Sequence, residues 1–335
     1  MGFDYSIFLS LAFLFGIAAQ FRAAEGFSFL RGLISSLEGR LGVMYAVVAV
    51  TAVFSPFVLN DVLVLILTPV LIAYSKESKT DVAPLLVAMV TFTNIASSLT
   101  PLGNPQNILL WQGTGISAGA FVEGTWLRLA ASGAIAALLL FWFRRRFSGR
   151  TAPSAKGPWR PAAYLLGSAA AVFVLNVLGV SSLLSLALAF ALGFAFTFRS
   201  PRRVAREFDL KSLIILYALV GMVALVALLV KPVVSPYVAP AAAGAQPYTA
   251  EFFAAVSAVI SNVPATQLVL STAPVSAHAA PTLAVDAGLA GNIDPISSFA
   301  NLLALLMAAR SGVGVRRAIL LQLAVGLVAF VPAAL

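Results

Sequence analysis

The stretch TNIASSLTPLGNPQNILLW, Thr93 to Trp111, decides how the rest of the chain is read. It lies in a mostly apolar sequence, yet Pro101, Gly103 and Pro105 fall close together, and Asn94, Thr100, Asn104, Gln106 and Asn107 surround them. Proline removes a backbone donor and clashes with the preceding turn, so the spacing predicts a helix that breaks here. At membrane depth the freed N–H and C=O groups find no partner in lipid. A break is tolerated there only where it lines an enclosed or watery cavity, the device by which many secondary transporters hold substrate and coupling ion. The plainer alternative is a polar loop between two membrane helices.

Composition points the same way. The chain has 335 residues, 61% of them hydrophobic and only 10% charged, which marks a polytopic membrane protein. At about 20 apolar residues per crossing, the length allows about eight to ten membrane segments. The absence of cysteine excludes disulfides, thiolate metal sites and cysteine nucleophiles. His278 is the single histidine, which argues against a His-based metal site or triad, and it is given no role. No P-loop occurs, so a pump would need its ATPase from a partner. The first apolar run, Tyr5 to Ala19, follows Asp4 rather than a basic region, and no secretory leader is expected.

Taken in order, residues 6–22 predict a first membrane segment and 23–40 an amphipathic linker. Two apolar arms, 41–59 and 62–73, flank Asn60-Asp61, with Ser55-Pro56 just before them. They form either one long helix or, the preferred reading, a re-entrant hairpin over about 41–74. The broken helix occupies 84–111, and a clear span follows at 126–143. The basic, Pro/Gly/Ser-rich stretch 144–160 reads as a cytoplasmic linker and 161–198 as a tight scaffold helix pair. A span is predicted at 212–230 and a Pro/Ala/Gly loop at 231–249. A second hairpin, about 250–273, centres on Ser261-Asn262, a second broken helix, 283–309, on Asn292 to Pro295, and a last span is predicted at 318–334.

Placing the linker inside assigns every loop. Nineteen of the 21 Lys and Arg then fall in the inside loops 22–40, 75–83, 144–160, 199–211 and 310–317. The +9 net charge is thereby explained without nucleic acid as a partner. Both termini are expected outside. The same assignment favours the hairpin, because a single crossing at 41–74 would carry three arginines outward.

Two halves can be superposed. FDYSIFLSLAFLFGI (3–17) resembles FDLKSLIILYALVGM (208–222), Asn60-Asp61 matches Ser261-Asn262, and LTPLGNPQNILL (99–110) resembles IDPISSFANLLA (293–304). The loop assignment makes these repeats inverted in the membrane. The expected fold is therefore all-α and polytopic, with a first repeat in 1–143 and a second in 208–335. Each contains a re-entrant hairpin and a broken transmembrane helix, the architecture of alternating-access carriers.

Asn60-Asp61 followed by LILTPVLIA, the TPLGNPQN break, SNVPAT and a second Pro-containing break resemble the ion transporter superfamily of arsenite pumps, citrate and dicarboxylate carriers and some sodium/proton antiporters. The GNPQN form, Gly103 to Asn107, is most similar to its anion-permease-like branch. The resemblance implies a small anionic solute coupled to sodium or protons, a cell (inner) membrane location, no other cofactor and a homodimer. In the divalent-anion branch each hairpin tip reads Ser-Asn-Thr and binds sodium and carboxylate; here the tips are Asn60-Asp61-Val62 and Ser261-Asn262-Val263, a departure that bears on both. Family members also carry helices ahead of the first repeat that match 161–198, and these are expected to be missing here.

The candidate substrate- and ion-binding residues are Asn60, Asp61, Asn94, Thr100, Gly103, Asn104, Gln106, Asn107, Ser261, Asn262, Thr266, Asp294, Ser297, Ser298 and Asn301, with sodium at Asn60, Asp61 and Asn262. An ionised Asp near the bilayer centre costs about 2.5–3.5 kcal/mol on insertion scales, so Asp61 is expected to be paired, protonated or functional; a bland cap on the hairpin is the alternative. Asp294, before Pro295, is read as a site residue or as a helix N-cap. The asparagines can coordinate a cation, donate to an anion, or bond the broken backbone itself. Glu123 and Arg128 read as ordinary interface charges. With no lysine or arginine evident within the membrane, an anion would rely on helix N-termini and amides. The sign of the substrate stays open, and a sodium/proton antiporter and a channel are the rival readings; membrane lipid is the surrounding partner, and no enzyme is expected.

Overall fold

The structure, a computed structural model, describes residues 6–144, 160–197, 201–242, 248–272 and 274–334. Most of the basic linker, with Arg145, Arg146, Arg150 and Lys156, lies outside the described residues. What is described is all helical. The first half holds α1 (Ser6–Ala23), α2 (Gly26–Leu41), α3 (Val43–Phe54), α4 (Asn60–Ser78), α5 (Val82–Ser97), α6 (Pro105–Thr114) and α7 (Ala118–Arg144). Then come α8 (Arg160–Val177), α9 (Ser182–Thr197) and the short α10 (Pro201–Glu207). The second half holds α11 (Leu210–Ala242), α12 (Tyr248–Ile260), α13 (Asn262–Thr272), α14 (Ala279–Ala290), α15 (Phe299–Arg310) and α16 (Arg316–Ala329).

Local chemistry sets these boundaries. Asp81 caps α5 by accepting from Ala83 N at 2.9 Å. Helix α5 stops before Pro101, and Pro105 opens α6, where its missing N–H is harmless. The residues between, 98–104, are non-helical, as are 291–298 between α14 and α15. Helix α5, of 16 residues, is shorter than the roughly 20 that a bilayer crossing takes. Among the described residues one unbroken helix, Ala118–Trp142, is both long and apolar enough to cross by itself.

One expectation gains detail and one is corrected. The stretch 23–40 is a true helix, bent by 73° from α1, with Leu30 and Ile34 buried. The predicted loop after 230 is instead the continuation of α11 through Pro232, Pro236 and Pro240 to Ala242. A loop would free every backbone group of this stretch, whereas a helix leaves only the few carbonyls that face a proline ring, and membrane helices tolerate these.

The inside of the molecule is unusually polar and part of its outside unusually apolar. Helix α4 is buried from Asn60 to Thr68, and α5 is buried over nearly its whole length. Leu138 and Trp142 are instead 70% and 84% exposed, as lipid-facing side chains are. Helix α3 packs on α5 as α12 packs on α14; α4 packs on α15 as α13 packs on α6; and α7 packs on α14 as α16 packs on α5.

Ion pairs gather the charged loops at one end. Arg31 pairs with Glu77, Arg317 with Asp81, and Arg310 with Asp209 at 3.2 Å. The Tyr74 hydroxyl donates to Glu38 at 2.5 Å. Four of the five stretches expected inside are thus tied to one another, in agreement with a common side.

Candidate functional site

Four helix starts meet at the two breaks. Asn60 opens α4, and its N–H donates to the Gly103 carbonyl at 2.8 Å, just ahead of α6. Asn262 opens α13, and its N–H donates to the Ser297 carbonyl at 3.2 Å, just ahead of α15. Ser261 holds a left-handed φ of 72° to make that start, an uncommon conformation for a residue with a Cβ. Each helix N-terminus carries the positive end of its dipole and N–H groups without intrahelical acceptors.

The first break is braced by its own asparagine. Asn107 Nδ2 donates to the carbonyls of Ser97 and Thr100, at 3.1 and 2.8 Å. The second break repeats this 194 positions later: Asn301 Nδ2 donates to the carbonyls of Gly291 and Asp294, at 2.5 and 3.1 Å. The Asn60–Gly103 bond has its counterpart in Asn262–Ser297, with Gly103 and Ser297 again 194 apart. The caps match too: Asn104 and Ser298 have φ, ψ of −138°, 147° and −138°, 134°.

Asn94 joins the two breaks. Its Nδ2 lies 3.1 Å from the Gly291 carbonyl, 3.0 Å from Asn292 Oδ1 and 3.1 Å from Asn301 Oδ1, and its Oδ1 accepts from Ser298 Oγ at 3.2 Å. On the other side, Ser98 Oγ donates to the Asn94 carbonyl and accepts from Asn104 Nδ2 at 3.3 Å. A Cβ on Gly291 would fall 2.9 Å from Asn262 Nδ2 and 3.3 Å from Asn94 Nδ2, so Asn262 reaches the same centre. Asn94, Asn104, Asn107, Asn292 and Asn301 are all fully buried.

Several predicted residues keep unused polar atoms. Among the described residues Asn104 Oδ1, Gln106 Nε2, Asn107 Oδ1, Ser261 Oγ and Thr266 Oγ1 are buried without a hydrogen-bond partner. Such orphans are rare away from a site that uses them. Asp61 is 3% exposed beside Asn60, whose Oδ1 accepts from the Asp61 N–H at 2.8 Å. Three predicted residues have local duties. Thr100 Oγ1 donates to the Pro56 carbonyl. Asp294 Oδ1 accepts from the N–H groups of Ile296 and Ser297, at 2.6 and 2.9 Å, and thereby shapes the second break. Ser297 Oγ donates to the Asp294 carbonyl at 2.7 Å. His278 is exposed ahead of α14, and among the described residues no cluster of three His, Cys, Asp or Glu is placed to hold a metal.

Four residues stood outside the candidate set read from the sequence. Asn292 supplies an acceptor to Asn94. Gln322 Nε2 donates to the Asp294 carbonyl at 3.2 Å, and Gly326 lets the Asn292 backbone press on α16, where a Cβ would meet Asn292 O at 1.8 Å. Asp286 is 1% exposed on α14, and Arg128 reaches it from α7: Nη1 lies 3.9 Å from Asp286 Oδ1, while Nη2 donates to Thr282 at 2.9 Å. Arg128 is therefore not an ordinary interface charge but part of a mostly buried pair between two packed helices. Its removal takes away the cation that Asp286 faces. Arg128→Gln is expected to destabilise the protein by about 2 kcal/mol, and Arg128→Gln with Asp286→Asn to recover most of that, read as thermal unfolding in detergent. Additive losses in the double variant would show that the two side chains do not interact.

Oriented N-termini at buried breaks, inside a helical body with an apolar exterior, fit the class of membrane transporters. The chain matches the protein family described as citrate transporter over residues 1–308, and it belongs to that family. It is 32% identical over 277 residues to the inner membrane protein YbiR of Escherichia coli, covering 81% of this chain and 70% of that protein. It is 34% identical over 103 residues to the silicon efflux transporter LSI3 of Oryza sativa, a match that covers 31% of this chain and 21% of that protein.

Proposed function

We propose that this chain is a secondary carrier of a small anionic solute, coupled to sodium or protons and working by alternating access in an inner membrane. The observation that carries the reading is the meeting of the α4 start with the first break and of the α13 start with the second, through Asn60–Gly103 and Asn262–Ser297. Four positive helix ends with buried donors suit an anion without a lysine or arginine. Family membership and the name of YbiR support the transport role and the membrane. The hydrogen bonds that recur 194 positions apart support two repeats, and the exchanged packing partners support a two-fold relation between them. The hairpin reading of 41–74 has support from α2: the chain leaves it at Gly42 and returns to it where Tyr74 meets Glu38 and Glu77 meets Arg31.

Coupling is assigned to Asp61 with Asn60 and Asn262. Asp61→Asn is expected to abolish cation-driven uptake into proteoliposomes while the protein still elutes and unfolds as wild type does. Unchanged dependence of uptake on the sodium and pH gradients in the variant would sink this assignment.

A second reading, a sodium/proton antiporter, is favoured by one observation. Asn104 Oδ1, Asn107 Oδ1 and Ser261 Oγ are oxygens, which suit a hard cation. Thermal stabilisation of the purified protein separates the two. A shift from a carboxylate or inorganic anion that requires sodium or low pH supports the symporter. A shift from sodium and pH alone supports the antiporter.

A further inference from the structure

We propose that the charged end of α1, together with α10, binds the phosphate of an anionic phospholipid headgroup. Arg22 stands in the last turn of α1. Its Nε and Nη2 are buried and have no hydrogen-bond partner among the described residues. A guanidinium is left in that condition only at a loss. With these two nitrogens closed to solvent, the exposed arginines of α10 make the contact with a headgroup and Arg22 adds its charge. Helix α10 packs against α1, anchored by Val204 at 5% exposure, and presents Arg202 and Arg206 to the outside. These two are one helical turn apart and share a face.

The acids in this neighbourhood do not fill the need. Glu207 and Asp209 act electrostatically on Arg22. Asp209 is already held by Arg310 at 3.2 Å, and neither acid fills Arg22 Nε or Nη2. Positive charge stays in excess, so the surface is complementary to an anion. Its position selects a lipid over a free phosphate. Arg22 lies at the end of α1, α10 lies between α9 and α11, and Leu210 and Ile214 follow directly on α11, 56% and 57% exposed, where acyl chains can lie. Basic pockets at the cytoplasmic edge of membrane helices recognise anionic headgroups in this way.

The test is thermal unfolding of the detergent-purified full chain with added phosphatidylglycerol, phosphatidylcholine of the same acyl chains, or inorganic phosphate. Phosphatidylglycerol is expected to raise the midpoint and phosphatidylcholine to leave it nearly unchanged. Arg22→Gln, and separately Arg202→Gln with Arg206→Gln, are expected to lose most of the shift. The second variant lies on the surface and carries the test if the first does not fold. An equal shift from phosphatidylcholine, or a full shift in the surface variant, overturns the proposal. An equal shift from inorganic phosphate reassigns the site to a soluble anion and overturns the lipid.

Discussion

Asn94→Ala is expected to abolish transport and to lower stability by roughly 3 kcal/mol or more. The side chain is fully buried and links α5 directly to the second break. Its loss leaves Asn292 Oδ1, Asn301 Oδ1 and Ser298 Oγ short of a partner in a place that water reaches poorly. Each such group costs about 1–3 kcal/mol, and the Gly291 carbonyl keeps its bond from Asn301. Asn94→Asp is the sharper variant. It preserves shape but turns the donor that faces three oxygens into an acceptor, so it is expected to be at least as damaging as Ala. Uptake in proteoliposomes and thermal unfolding together check both. Retained function in Asn94→Asp would show that this amide does not hold the breaks together.

Gly103→Ala is expected to have the next largest effect, about 3 kcal/mol of destabilisation with loss of uptake. An added Cβ would stand 2.0 Å from the Ser97 carbonyl oxygen and 2.6 Å from its carbon, and backbone cannot step aside as a side chain does. The Gly103 carbonyl also accepts from Asn60, so pushing the break outward pulls at the start of α4. Gly39→Ala is the control. Nothing lies within 4 Å of that position on α2, and alanine there is expected to stabilise by up to about 1 kcal/mol. Equal behaviour of the two variants would mean that the close approach at Gly103 has no structural consequence.

Much of this was legible because the decisive signals are local. Pro101, Gly103 and Pro105 end one helix and begin another whatever surrounds them. The recurrence of Pro and Asn 194 positions later marked the second break, and the asparagines stood out against an apolar background. Asp286 was legible in principle, being the one acid in the apolar run 279–290, by the same reasoning that singled out Asp61. Its connection to Arg128 was not, since nothing in either neighbourhood names a partner on another helix. Gln322 and Gly326 were overlooked for a related reason: their importance comes from what presses on them. The end of α11 was misread because three prolines indicate a loop in water, whereas lipid penalises the exposed backbone of a loop more than three missing donors.

The bonds from Asn60 to Gly103 and from Asn262 to Ser297 have a consequence for the order of assembly. In each case the first N–H of a helix takes its acceptor from a residue synthesised after that whole helix. Neither α4 nor α13 can therefore reach its final form as it emerges. Each must wait, with its leading end unfinished, for the following broken helix to arrive and close it. Segment-by-segment insertion cannot complete either half of this protein; each matures as a block, from its helix start to the break that seals it.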